Sequence, residues 1–226
     1  MSDFLHIPYR LRRELHPQET ETIFRFCFQE LGCSRANPTN GKTNQFRYTT
    51  ERTSGVVVGE SVEEAITAVV EASSGAIWCW YDDLNVGISV GGKTNSGPSL
   101  PSVSLLIDEW YTMPWRNEEP SLIHDFVLEL YDYLSPMYVY GDTYLDESSL
   151  TTDGVDCGQL EDLFWVNGFG PEMTEQIGRE RLLEAPAWRV DDCEDGGVFL
   201  WLSPLPLSES RNERMDALRA YFDLDS

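Results

Sequence analysis

The stretch Ala76-Ile77-Trp78-Cys79-Trp80-Tyr81-Asp82-Asp83-Leu84-Asn85-Val86-Gly87-Ile88-Ser89-Val90 decides how this chain is read. Ala76 to Tyr81 is apolar at every position, which suits a strand buried on both faces inside a sheet. From Leu84 the pattern changes. Leu84, Val86, Ile88 and Val90 fall on one side and Asn85, Gly87 and Ser89 on the other, as in a strand with one buried and one wet face. A third strand is predicted over Val103–Tyr111.

Before this block, Ser61-Val62-Glu63-Glu64 reads as a capping box. The helix it opens runs to about Ser73, buries Ile66, Val69 and Val70, and is ended by Gly75. Val56 to Val58 reads as a short strand, and residues 33–54 as polar and turn-rich with a short edge strand around Phe46 and Tyr48. Residues 18–32 carry Ile23, Phe24, Cys27, Phe28 and Leu31 on one helical face; the residues before them read as a leader segment. After the block, a helix over about 120–135 stops at Pro136, and Met137–Tyr144 returns as a strand. The order β-α-β-β-β-α-β matches a split β-α-β arrangement with one extra strand. A polar connection over 145–158 leads to a segment at 159–166. A helix follows over 171–184, opened by Pro171, then strands at 187–192 and 197–203 joined by the acidic turn Asp191–Gly197, and a helix at 209–222. The expected fold is α+β, a mixed but mostly antiparallel sheet with helices on one face and a C-terminal α/β extension. It is read as one domain over 1–226, divisible into a sheet core at 1–144 and an extension at 159–226.

Thirty-nine Asp plus Glu stand against 16 Lys plus Arg, a net charge of −23, and the only lysines are Lys42 and Lys93. That many like charges oppose compaction at ordinary ionic strength. In molar salt the Debye length falls to about 3 Å and the repulsion is screened, so the composition points to the cytoplasm of a halophile. The acid is spread along the chain, which favours a solvated surface over a nucleic-acid mimic. With no Lys/Arg patch to release counterions, direct nucleic-acid binding is disfavoured. The N-terminus lacks a signal-peptide core and the longest apolar run, Ala76 to Tyr81, is too short to span a bilayer. The five cysteines show no CxxC pair and read as free, mostly buried thiols.

Gly87-Ile-Ser-Val-Gly-Gly92-Lys93-Thr94 matches the phosphate-loop pattern GxxxxGK[ST], with Leu105–Glu109 resembling its acidic partner strand. A phosphate loop needs a helix starting at the Lys-Thr, so that helical N–H groups face the phosphates. Here Asn-Ser-Gly-Pro follows, and only 14 residues separate Lys93 from Asp108. A hairpin is the better reading, and no cofactor is implied. The strand-end carboxylates Asp82, Asp83, Asp108, Glu109 and Asp142 are the candidates for acid–base chemistry. Ser121, His124 and Asp125 point different ways on one helix, with His124 read on its polar side, and no His/Cys spacing suits a metal. Aromatics supply the stronger signal. Trp110-Tyr111-Thr112-Met113-Pro114-Trp115-Arg116 is irregular and aromatic, so Trp110, Tyr111, Trp115 and Arg116, with Asp82, Asp83, Asp108 and Glu109 nearby, form the expected partner-binding set.

The text Phe164-Trp165-Val166-Asn167-Gly168-Phe169-Gly170-Pro171-Glu172, then Ile177–Leu183, Ala185–Trp188 and Asp195-Gly196-Gly197-Val198-Phe199-Leu200, resembles the C-terminal part of bacterial immunity proteins directed against secreted polymorphic toxins, including those of type VI secretion. Leu130 to Asp142 resembles that family's middle section, so the resemblance spans roughly 120–203. It implies an α+β protein that is not an enzyme and neutralises a cognate toxin by direct binding; it brings no catalytic residues with it. The alternatives are a small hydrolase using Asp82, Asp108 or Asp142, and an accessory subunit of a larger assembly.

Overall fold

The computed structural model describes residues 4–35, 46–53, 55–91, 101–113, 120–143, 145 and 150–224. Among them the chain runs β1 (Phe4–Arg10), α1 (Pro17–Gln29), β2 (Phe46–Thr50), β3 (Val57–Gly59), α2 (Val62–Ala72), β4 (Gly75–Tyr81), β5 (Leu84–Val90) and β6 (Ser102–Asp108). A 3₁₀ turn (Glu109–Thr112) leads to α3 (Ser121–Leu134), β7 (Tyr138–Gly141) and α4 (Thr152–Asp156). The chain then forms β8 (Val166–Phe169), α5 (Pro171–Ile177), α6 (Arg179–Leu183), β9 (Arg189–Asp192), β10 (Val198–Trp201) and α7 (Arg211–Tyr221).

The strands form one sheet in the order β3-β2-β4-β5-β6-β1-β7-β8-β10-β9, and every pairing is antiparallel. The fold is therefore α+β as expected. Three connections each join two like-directed strands with a third inserted between them: β3-α2-β4 around β2, β6-α3-β7 around β1, and β8-α5-α6-β9 around β10. The split β-α-β reading thus holds as a repeated connection rule. The inserted strands make neighbouring pairs antiparallel although the crossovers join strands of one direction. Because β7 pairs with β8, the sheet runs without a break from the first half of the chain into the C-terminal extension.

Two expectations change. Phe4–Arg10 is no leader: β1 lies inside the sheet between β6 and β7. Leu5, Ile7 and Tyr9 point into the core, all fully buried. Pro8 is tolerated because the β1–β7 ladder is interrupted there. Tyr9 and Arg10 pair with Val139 and Tyr138, His6 bridges Asp142, and Pro8, which has no N–H to donate, sits in the gap. Likewise β2 is no edge strand, since it lies between β3 and β4.

Alternation then fixes the faces. The register row Tyr48–Ile77–Ile88–Leu105–Ile7 crosses five strands with every side chain buried. α1, α2 and α3 pack on this side. The Tyr9 hydroxyl donates to the Val127 carbonyl of α3 at 3.1 Å, and Phe26 of α1 stacks on Tyr133 of α3. α2 is started by Ser61, whose Oγ accepts from Glu64 N at 3.1 Å; the Glu64 carboxylate reaches back to Glu60 N at 2.7 Å. Its end is set by Ser73 in the left-handed region (φ 64), two residues before the expected Gly75.

The opposite face divides in two. In the C-terminal half it carries Tyr138, Tyr140, Phe169 and Leu200, all buried. Helical elements after β7 reach it: Arg211 of α7 pairs with Asp142, and Thr174 of α5 donates to the Phe169 carbonyl at 3.0 Å. In the N-terminal half the same face carries Asn85, Gly87, Ser89, Thr49 and Ser104, small or polar residues that a covering helix would gain little by burying.

Candidate functional site

The reverse face of the N-terminal half is a trough of about 710 Å³, lined among others by Phe4, Arg47, Val56, Trp78, Leu106 and Asp108. One register row crosses it: Val58 (β3), Arg47 (β2), Trp78 (β4), Gly87 (β5), Leu106 (β6) and His6 (β1). Trp78 lies flat along this row. A Cβ on Gly87 would stand 2.8 Å from the indole, so the glycine forms the bed of the ring. Phe4 closes the far side with its ring centroid 4.9 Å from that of Trp78. Both aromatics stay half-exposed, as does Leu106. Arg47 is exposed and enters no ion pair among the described residues, while Glu51 and Asp108 also line the trough. A flat, half-wet tryptophan beside a phenylalanine and a free guanidinium has the composition of an interface hot spot.

Gly87 is also the first glycine of the phosphate-loop pattern. Its place inside β5 explains it as Trp78's bed, and β5 pairs antiparallel with β6, as two strands joined by a hairpin connection would. Gly92, Lys93 and Thr94 lie outside the described residues.

The expected partner-binding set is partly assembled. Asp82 and Asp83 form the β4–β5 turn, with Asp82 in the left-handed region (φ 48). Asp108 ends β6 opposite Phe4. Tyr111 follows in the 3₁₀ turn, its phenol pushed up by burial first and then by Asp108 and Asp83, so these three groups share one end of the sheet. Glu109 and Trp110 belong to the same turn, but their side chains, like all of Trp115 and Arg116, lie outside the described residues. Trp78, Phe4 and Arg47 were not singled out by sequence. The signal available was the Gly87 opposite a tryptophan on an alternating strand.

Of the carboxylates considered for hydrolysis, Asp142 is engaged structurally. It is 4% exposed, pairs with Arg211 and accepts from Thr143 N at 2.8 Å. Burial pushes its carboxyl up, against the opposing pull of Arg211. Asp142 and Asp108 flank β1 on opposite sides, across from His6 and Phe4. His124 also departs from its sequence reading. Rather than facing solvent it is 1% exposed, with its ring among those of Trp165, Trp188 and Trp201. Nε2–H donates to the Pro204 carbonyl at 3.0 Å, which leaves Nδ1 to face Arg189 Nη1 at 3.4 Å. Burial first, then Arg189, pulls the imidazole down to about 4. Its role is that of a neutral core group.

Four of the residues that carried the immunity-protein resemblance, Trp165, Asn167, Pro171 and Gly197, serve the fold. Trp165 is buried and donates from Nε1 to the Ser203 carbonyl at 2.9 Å. Asn167 is buried and ties a turn, accepting from Phe164 N at 3.0 Å and donating to Phe164 O at 2.7 Å. Pro171 opens α5, and a Cβ on Gly197 would meet the Tyr131 hydroxyl at 1.9 Å. Acid clusters opposite the trough face, where Asp132 of α3 meets Asp195 and Glu194 of the β9–β10 turn; burial and then these neighbours push its carboxyl up. Cys27, Cys33 and Cys79 are buried free thiols, Cys193 is half-buried and Cys157 exposed.

The geometry defines an α+β protein with one antiparallel sheet: helices lie against one face throughout, while the other face is reached by helical elements in the C-terminal half and carries the aromatic trough in the N-terminal half. No family model matches the chain, and no curated protein matches it. Among solved structures it is similar to the Pseudomonas aeruginosa T6SS protein PA0821, with a TM-score of 0.55 and 12% identity over 97% of this chain and 72% of that one. At that identity the likeness is one of fold. No helix among the described residues is long and apolar enough to cross a membrane.

Proposed function

We propose that this protein is a non-enzymatic binding protein that neutralises a cognate toxin by covering it, with the trough as its docking face. The observation that carries the reading is Trp78, laid over Gly87 beside Phe4 on a sheet face that no described helix covers, with Arg47 exposed at its side and in no ion pair among the described residues. Large aromatic and guanidinium groups in such a setting supply most of the binding energy of an interface. The net charge of −23 favours a partner with a basic surface, since complementary fields speed encounter and exclude wrong partners. The fold likeness to a T6SS protein supports the same direction.

The test is capture from native lysate at molar salt, with the retained protein assayed for toxicity alone and in the complex. The expected result is one protein whose toxicity is lost on binding, captured about a hundredfold less tightly by the Trp78→Ala chain, as for a hot spot of roughly 2–3 kcal/mol. Equal capture by Trp78→Ala and by Arg47→Glu would remove the trough from the account. Turnover of a small substrate that survives both substitutions but not Asp108→Asn would favour a hydrolase.

A further inference from the structure

The two ends of the sheet differ. The outer strand β9 reads Arg-Val-Asp-Asp and is guarded by the ion pairs Arg189–Asp191 and Arg179–Asp192, the usual protection of an edge against strand addition. At the other end, β3 has β2 as its one neighbour among the described residues. Among the described residues no ion pair stands on this edge. Val56 and Val58, 57% and 51% exposed, are the most exposed of the large hydrophobics among the described residues. Val58 stands opposite Arg47 and so faces the trough side, and Val56 lines the trough itself. The apolar edge is therefore continuous with the floor that carries Trp78.

We propose that β3 is the site of strand addition: an extended segment of the partner protein pairs with its free edge and lays alternate apolar side chains beside Val56 and Val58, toward Trp78. Main-chain hydrogen bonds would supply affinity, and alternating side-chain contacts specificity. Charge selects the segment. Glu51, Glu60, Glu63 and Glu64 are exposed around β3 against Arg47 and Arg52, so a segment with basic residues between its apolar ones fits. This inference rests on the binding reading above and assigns it a mode of contact.

The probe is a short peptide of alternating lysine and valine, compared with a counterpart in which every second valine is proline. Both are titrated into the full chain across a salt series ending near 1 M, where screening removes most non-specific attraction of the peptide to an acidic protein. The expected result has three parts. The lysine–valine peptide binds and slows amide exchange at residues 56–60; the proline counterpart binds at least about tenfold more weakly, because it cannot complete the ladder; and the Val56→Lys, Val58→Lys chain, checked for unchanged far-UV circular dichroism, loses affinity by a similar factor. Equal binding of the two peptides, or protection confined to other strands, overturns the proposal. So does a dimer of the wild-type chain that these two lysines abolish, because the edge would then belong to a second copy. Peptide binding at β3 in a chain that captures no toxin would sink the immunity reading alone, whereas toxin capture unaffected by the two lysines would sink strand addition alone.

Discussion

His124 offers the sharpest test of the packing between α3 and the C-terminal half. Its imidazole is 1% exposed and is held neutral by burial first and then by the Arg189 guanidinium, against the smaller opposing pull of the Pro204 carbonyl, so that its pKa falls from 6.5 to about 4. In the unfolded chain the ring takes its proton near pH 6.5, and in the folded chain only near 4. Between those values the unfolded state binds more protons, so folding stability is complete above pH 6.5 and is lost as pH falls toward 4. With these two values the linkage integral gives a loss of about 2 kcal/mol between pH 8 and pH 5, and about 3 kcal/mol by pH 4. The measurement is denaturant unfolding at a series of pH values in molar salt, for wild type and His124→Gln. Glutamine keeps a donor for Pro204 but does not titrate. Subtracting the two curves removes the carboxylates common to both chains. The difference should fall with a midpoint below pH 6.5, and the wild-type imidazole resonances should not titrate above about pH 5. A flat difference, or an imidazole titrating near 6.5, would refute the neutral buried histidine.

Two further outcomes follow from charge. Asp132, pushed up by burial and by Asp195 and Glu194, loses stability as a carboxylate, so Asp132→Asn should stabilise the chain by roughly 0.5–1 kcal/mol at pH 7 and low salt. Because the folded pKa is raised, the gain should shrink as pH drops through it and as salt screens the pair, which thermal unfolding at several salt concentrations would show. Arg211→Ala strands the buried Asp142 carboxylate without its partner and should cost about 3 kcal/mol at neutral pH. Asp142→Asn should cost less, since a neutral side chain needs no counter-charge; a larger loss from the asparagine would contradict this account.

Where the sequence alternated or capped, it was legible. Leu84 to Val90 became a strand with one wet face, Ser61 capped α2, and Pro171 opened α5. These are local properties: side chains two apart share a strand face, and an oxygen three residues away reaches an unpaired N–H. The Gly87–Thr94 pattern was dismissed as a phosphate loop for a similarly local reason, since Asn-Ser-Gly-Pro cannot start a helix.

The long-range choices came only with the tertiary structure. The alternation of Leu5, Ile7 and Tyr9 is present in the sequence, but a proline has no N–H to give an interior ladder, and only the gap in the β1–β7 ladder shows how Pro8 is accommodated. His124 was placed with its polar neighbour Asp125, yet α3 buries two stripes: Ile123, Phe126 and Leu130 on one, and His124 and Tyr131 on the other, meeting Trp201 and Phe199. A single helical wheel marks one apolar face and cannot announce that a second half of the sheet will cover the next. The trough was hidden for the same reason. Trp78 sits in a run apolar on both faces, which reads as fully buried, but the glycine beneath it and the small residues around it come from strands whose register no local pattern specifies. The chain's own text determined its class, most of its elements and its acidic composition, because those follow from neighbours along the backbone. Which of its aromatics would be left at the surface was decided by strand order, because burial depends on what lies across the sheet and not on what lies next in the chain.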